Sequence, residues 1–242
     1  VSATDANNGI SDPQTIHVTI DMAVKGSSAS LPGSIDNWTA GPVNGSKDGF
    51  VFTNKLDPTI QVHIPASVTS LSFTTGGSLE LSNDGSLGTI KDTTVGIDHT
   101  IQISAGTTES DVVALSTTSS NTVTVIGQAD SIGRSDSVAF NATVDVSMLN
   151  TYFTAGSTPS SDPITVKVGN ATAVLSDIES VQFSNARVLL VGGGGHASLT
   201  AASAAAKSGD VIYVAHSSLA QGTDGVISTS DTSVYIANGD TA

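Results

Sequence analysis

The sequence predicts an all-β protein, and three observations carry the prediction. Apolar residues recur at every second position through most runs that look ordered, the period of a strand with one buried face. Hydrophobic residues make up 38 % of the chain and aromatics only 4 %, so the core must be Val, Ile, Leu and Ala, which suit thin β layers. Asp-Pro opens an alternating run three times, and each time the fixed proline φ and the Asp side chain supply a turn. At 242 residues the chain holds one large β domain or two smaller ones. The expected order is an extended strand over 1–24, a β-sandwich over 25–127 and a second β unit over 128–242.

The elements follow in sequence. Ile16, Val18 and Ile20 alternate after Asp12-Pro13, and Ile60, Val62 and Ile64 after Asp57-Pro58. Residues 25–49 are rich in Gly, Ser, Pro and Asn and contain Trp38, the one tryptophan, which either plugs the edge of the core or stacks on a sugar. Leu71 to Leu81 reads as a hairpin turning at Gly76-Gly77, and Asn83-Asp84-Gly85 as a turn toward a strand near Ile90. Val123 and Val125 mark another strand. Ile164, Val166 and Val168 follow Asp162-Pro163. One short helix stands out over Ser198 to Gly209, with Ser198 as N-cap, alanines as helix formers and Gly209 as the stop. The strand at 211–215 follows at once. The Asp-Pro recurrence has no fixed spacing, so it assigns no solenoid period.

Charge and composition narrow the function. Twenty-two Asp and Glu oppose eight Lys and Arg, a net charge of −14. The few basic residues are scattered from Lys25 to Lys207, which argues against nucleic acid and against an anionic membrane surface. No apolar run reaches the roughly 20 residues of a membrane span. With no cysteine, thiol catalysis, Cys-ligated zinc and disulfides are excluded. The chain opens on VSATDANNG without Met or a signal peptide, so we expect a processed product or a piece of a longer polypeptide.

No motif for catalysis emerges. The five histidines (His17, His63, His99, His196 and His216) lack zinc-helix spacing, and there is neither a G-x-S-x-G elbow nor a Walker loop. His17 and His63 fall in the polar phase of their strands, and His196 reads as a turn residue after four glycines. The chain is not expected to be an enzyme. Acidic clusters are the better candidates, because Ca²⁺ takes six to eight oxygen ligands from carboxylates and carbonyls. These clusters are Asp5 with Asn7 and Asn8, Glu109 with Asp111, Asp130 with Asp136, and Asp177 with Glu179. The competing reading for each is a solvated turn carboxylate.

Three stretches resemble known families. VSATDANNGISDPQTIHVTID (1–21) resembles the last strands of a bacterial immunoglobulin-like or cadherin-like repeat, which implies calcium at a domain junction through Asp5, Asn7 and Asn8. Residues 130–191 resemble the segment beside calcium-binding repeats in type I-secreted proteins of the RTX kind. Asp136 to Phe140 and LSDIESVQFSNARVLLV (175–191) carry that likeness. The calcium-binding nonapeptide is absent, since His196-Ala197 follows Gly192 to Gly195 where an Asp would stand. Residues 192–215 resemble the opening turn of a pectate-lyase-like parallel β-helix, with an Ala-rich helix, then Gly209-Asp210, then a strand. The second β unit should therefore end in a β-helix-like turn.

Together these readings describe a structural module of a large secreted bacterial surface protein: an adhesin, a surface layer or a filament subunit. Strand edges would pair with other copies of the chain and Ca²⁺ would stiffen the loops, with cell-surface glycans as a further partner. Segment 12–24 is the expected pairing strand. Two rivals stay open: a fragment of a carbohydrate-active β-helix enzyme, and a carbohydrate-binding module using Trp38 and Tyr152.

Overall fold

The computed structural model describes residues 18–19, 28–30, 38–42, 48–65, 70–72, 77–81, 89–103, 112–128, 135–158, 161–216 and 229–237. It is all-β, as the alternation predicts. The first strands are β1 (Val18–Thr19), β2 (Ser28–Ser30), β3 (Trp38–Pro42), β4 (Asp48–Asn54), β5 (Ile60–Pro65) and β6 (Ser70–Ser72). Next come β7 (Ser78–Leu81), β8 (Thr89–Asp92), β9 (His99–Ile103), β10 (Val112–Leu115), β11 (Thr122–Ile126) and β12 (Ser137–Phe140). A short 3-10 turn (Val146–Thr151) leads to β13 (Phe153–Thr154), β14 (Ile164–Val168), β15 (Ala171–Ser176), β16 (Ser180–Gln182) and β17 (Arg187–Val191). Helix α1 (Leu199–Ala205) precedes β18 (Val211–Val214) and β19 (Ser233–Ile236).

Two sheets collect these strands. One has ten, in the order β1-β5-β4-β3-β7-β9-β11-β15-β14-β13; the other has nine, in the order β19-β18-β17-β16-β12-β10-β8-β6-β2. From β6 to β12 successive strands alternate between the sheets, and each pairs in parallel with the strand one coil away. Leu79 lies opposite Ile101 and Ile101 opposite Val125, while Ile90 lies opposite Val113 and Val113 opposite Val138. A coil therefore takes 21 to 25 residues, the shortest step being Leu71 to Asp92. This is a β-solenoid-like arrangement, in which each coil buries its apolar face only by stacking on its neighbours.

One expectation changes in kind here. The 71–81 segment is not a hairpin: β6 belongs to the nine-stranded sheet and β7 to the ten-stranded one, so the chain turns a corner between layers. Both sheets also run across residue 127, because β10 pairs with β12 and β11 with β15. The two layers face each other as in a sandwich, but their ladders are mostly parallel.

Excursions interrupt the coils. Strands β3, β4 and β5 form an antiparallel meander, and so do β13, β14 and β15. The Asp-Pro starts hold for β5 and β14, whereas Asp12-Pro13 lies outside the described residues. Strand β17 runs antiparallel to β16, and β17, β18 and β19 then continue parallel to one another. The β16–β17 turn is fixed by Asn185, which donates to Val144 O at 2.8 Å and accepts from Val144 N at 3.0 Å.

The main core consists of in-register columns. Leu79, Ile101, Val125 and Leu175 stack on one layer at 0–1 % exposure, against Val113, Val138 and Val181 on the other. An aromatic series continues it, from Phe140 through Phe183 and Phe153 to Tyr213 and Tyr235, with ring centroids 4.9–6.2 Å apart. A second small core lies on the other side of β17 and β18. There Leu189, Val191, Ile212 and Val214 pack on Ala202 of α1. Ser198 caps α1 as predicted, its hydroxyl accepting from Ala201 N at 3.2 Å, and the helix ends before the predicted Gly209.

Candidate functional site

The acidic clusters come first, because they were the predicted site. Asp5, Asn7, Asn8, Glu109, Asp111 and Asp130 lie outside the described residues. Asp136, Asp177 and Glu179 are described, and two of them meet. Asp136 and Glu179 are fully buried, at 0 % and 1 % exposure. Asp136 N donates to Glu179 Oε2 at 2.5 Å, and Gln128 N donates to Asp136 Oδ2 at 3.2 Å. Glu179 N returns a bond to Asp136 O at 3.1 Å. These amides sit where the chain leaves one sheet for the other and the strand ladder no longer serves them. Buried backbone donors need acceptors, and here carboxylates supply them. The pair thus joins the end of β11, the start of β12 and the start of β16.

Asp177 serves the same corner differently. Its backbone has φ +54°, its N–H donates to Gly193 O at 2.9 Å, and partial burial raises its carboxyl pKa. Two glycines make room for it. A Cβ on Gly127 would lie 1.9 Å from Asp177 O, and one on Gly194, which has φ +80°, would lie 2.2 Å from Asp177 Oδ1. Only glycine fits at either position. The glycine run after β17 is thereby explained as close packing against a neighbouring corner. Among the described residues no group of three or more His, Asp or Glu side chains converges as a metal-ligand set.

Other carboxylates repeat one local device. In Asp57-Pro58-Thr59, Asp92-Thr93-Thr94 and Asp145-Val146-Ser147 the Asp Oδ1 accepts from both the N–H and the hydroxyl two residues on. The hydroxyl bonds are 2.6 Å in all three. Such Asx turns satisfy amides at strand ends and at the start of the 3-10 turn. The hydrogen bonds from Thr59 and Ser147 hold the exposed Asp57 and Asp145 carboxyls below their usual range. Part of the acidity therefore belongs to turn construction.

Asp92 does a second job. Its Oδ2 lies 3.1 Å from Nε2 of His99, and both side chains are buried. His99 Nδ1 lies 2.9 Å from Ile97 O, which Asn121 Nδ2 also reaches at 3.1 Å. Burial disfavours the charged ring, but the hydrogen bond and negative charge of Asp92 outweigh it, and the His99 pKa is raised. Sequence reasoning missed this pair although a signal existed: His99 shares the phase of Ile101 and Ile103, so it faces inward. Beside it a cleft of about 530 Å³ opens over the hydroxyls of Ser78, Thr100, Thr122 and Thr124.

The aromatic site candidates move inward. Trp38 is 5 % exposed and belongs to the main core, so its indole has no open face for a sugar; the core-plugging role is the one it fills. Tyr152 is half-buried against the same core, and its hydroxyl accepts from Asp145 N at 3.4 Å. His196 is the turn residue expected, paired by its backbone with Leu190 and Gly192. His63 is half-buried on β5, and His17 lies outside the described residues.

Arg187 and Asp210 complete the charged contacts at the C-terminal end. Arg187 Nε donates to Asp210 Oδ1 at 3.1 Å, and Nη2 bonds to Oδ2 and to Ala205 O, the last turn of α1. Lys207 N also donates to Asp210 Oδ2, at 2.6 Å. A second cleft, of about 470 Å³, lies near the end of the aromatic series.

No helix among the described residues is long and apolar enough to cross a membrane. No protein-family model, curated protein or solved structure matches this chain.

Proposed function

We propose that this chain is a structural module of a secreted bacterial surface protein, working by stacking and strand pairing and not by catalysis. The observation that carries the reading is the continuity of two mostly parallel sheets through ten and nine strands. Side chains that could have formed a reactive centre are spent on the corners of the coils instead: Asp136 and Glu179 on amides, Asp92 on His99, Asp210 on Arg187. Strand β1, inside the 12–24 segment, takes an edge of the ten-stranded sheet beside β5, and β19 takes an edge of the other. Sheet edges carry backbone groups able to pair with another copy. The RTX-like and immunoglobulin-like resemblances support a large exported assembly, and adhesin, surface layer and filament subunit remain its three forms.

Calcium belongs to this proposal through Asp5, Asn7, Glu109, Asp111 and Asp130. The net charge of −14 favours cations near the loops. Asp136 and Glu179 are weaker ligands than the sequence suggested, since each already accepts a backbone N–H. The test is electron microscopy and thermal melting of the full chain with Ca²⁺ and with chelator, beside a variant lacking residues 12–24. Ordered assemblies that vanish on deletion, with a melting point raised by Ca²⁺, are expected. Assembly unchanged by the deletion would remove strand pairing from the reading, and a chelator without effect on melting or assembly would remove calcium.

A further inference from the structure

The second cleft contains a buried side-chain donor that finds no acceptor among the described residues. It is lined by Asn150, Phe153, Thr154, Ser157, Tyr213 and His216, with small residues between them. Its volume, about 470 Å³, falls within the ~300–1,000 Å³ of small-molecule sites. Tyr213 is 0 % exposed, its ring against Phe153 at 4.9 Å and Tyr235 at 6.2 Å. Tyr213 also lines the cleft, and a phenol hydroxyl can both donate and accept. Nδ2 of Asn150, on the 3-10 turn, is buried without an acceptor among the described residues. A buried amide without an acceptor, on the same wall as a phenol, calls for a partner that brings its own hydrogen-bonding atoms.

The wall also fixes the ligand's character. Among the described residues that line it, none is Asp, Glu, Lys or Arg. An anion would meet no cation there and would approach a chain of net charge −14. A cation would find no carboxylate among the lining residues. Burial and the neighbouring Tyr235 push the Tyr213 phenol up to about 12, so it stays neutral and can both donate and accept. A purely apolar molecule would leave the Asn150 amide unpaired. What fits is a neutral ring with hydroxyls on its rim and C–H groups for Phe153 and the alanines Ala155, Ala215 and Ala237.

We propose that this cleft binds a neutral saccharide, held by the Tyr213 hydroxyl and the Asn150 amide over an apolar floor. The site is complete within one chain, so it can fail without touching the assembly proposal, and the reverse also holds.

The test is calorimetric titration and saturation-transfer NMR of the full chain with glucose, galactose and N-acetylglucosamine. Glucuronate is the acidic comparison. At least one neutral sugar should bind, glucuronate at least tenfold more weakly. Tyr213→Phe keeps the ring and removes only the hydroxyl; it should weaken binding about tenfold with an unchanged melting point. Asn150→Ala should weaken it similarly, and stronger binding of N-acetylglucosamine than of glucose would place an acetamido oxygen on that amide. Binding lost in Tyr213→Phe while Thr124→Ala, over the other cleft, binds normally supports the site. No binding of any neutral sugar, equal binding of glucuronate, or wild-type affinity in Tyr213→Phe would overturn it.

Discussion

The central coils and the C-terminal strands are built from the same stacked strands but are buried differently. In β9 and β11 every second residue is buried and the alternate ones, such as Thr100, Gln102 and Thr124, face outward. In β17 and β18 nearly every residue is buried. Val188, Leu190, Val211 and Tyr213 enter the main core, while Leu189, Val191, Ile212 and Val214 enter the small core under α1. One helix of seven residues accounts for the difference, because it covers a sheet face that is otherwise open. Apolar alternation is thus the mark of a one-sided layer, and a continuous apolar run the mark of a covered one.

The strongest way to break this comparison is to truncate outward-facing residues in both regions. Leu189→Ala removes a fully buried side chain beneath α1 and should cost about 2–5 kcal/mol. Thr124→Ala, on the open face of β11, should stay within about 0.5 kcal/mol. Urea unfolding of the two variants checks this. Equal losses would mean that α1 adds no packing energy and that the two regions do not differ.

A medium effect is expected at the contact that holds α1 to its sheet. Arg187→Ala leaves Asp210 without its charged partner and should cost about 1–3 kcal/mol. Burial pushes the Asp210 pKa up, but the hydrogen bonds from Arg187 and the Lys207 amide outweigh it, and the value is lowered. A lowered carboxyl contributes stability above its unfolded pKa and loses it as pH falls through the folded one. The gap between wild type and Arg187→Ala should therefore be wide at neutral pH and close in acid. A gap that widens in acid would contradict the pairing.

The same contrast explains what could be read from the sequence. The strands were legible because alternation and Asp-Pro starts are local signals, and β5, β11 and β14 sit where those signals placed them. Ser198 and the alanines gave α1 for the same reason. The coil was not legible. A strand with one open face alternates identically in a parallel stack and in an antiparallel sandwich, and only long-range register separates the two. That register repeats every 21 to 25 residues, but the excursions β3–β5 and β13–β15 interrupt it, so no fixed period survives. The structural roles of Asp136, Glu179 and Asp210 were not legible because their partners include backbone amides. Gln128 N, Asp136 N and Lys207 N carry no signature of their own in a sequence.

The smallest expected effect sharpens the comparison most, since it makes the two regions titrate in opposite directions. His99 lies in the central coils with its pKa raised by Asp92 against burial. A raised histidine contributes its stability in full below the unfolded value near 6.5 and loses it as pH rises through the folded value. His99→Gln keeps a side chain able to hydrogen-bond but cannot carry charge. The stability gap between wild type and His99→Gln should therefore be largest in mild acid and shrink toward alkaline pH. Amide exchange can localise the change: protection of β9 and β11 should fall on raising the pH, while that of β17 and β18 should fall only on strong acidification. A His99→Gln gap that grew with pH would mean the imidazole is buried neutral. Asp92 would then act as a turn acceptor for Thr94 alone, as Asp57 does for Thr59, and the central coils would lose their one titrating brace among the described residues.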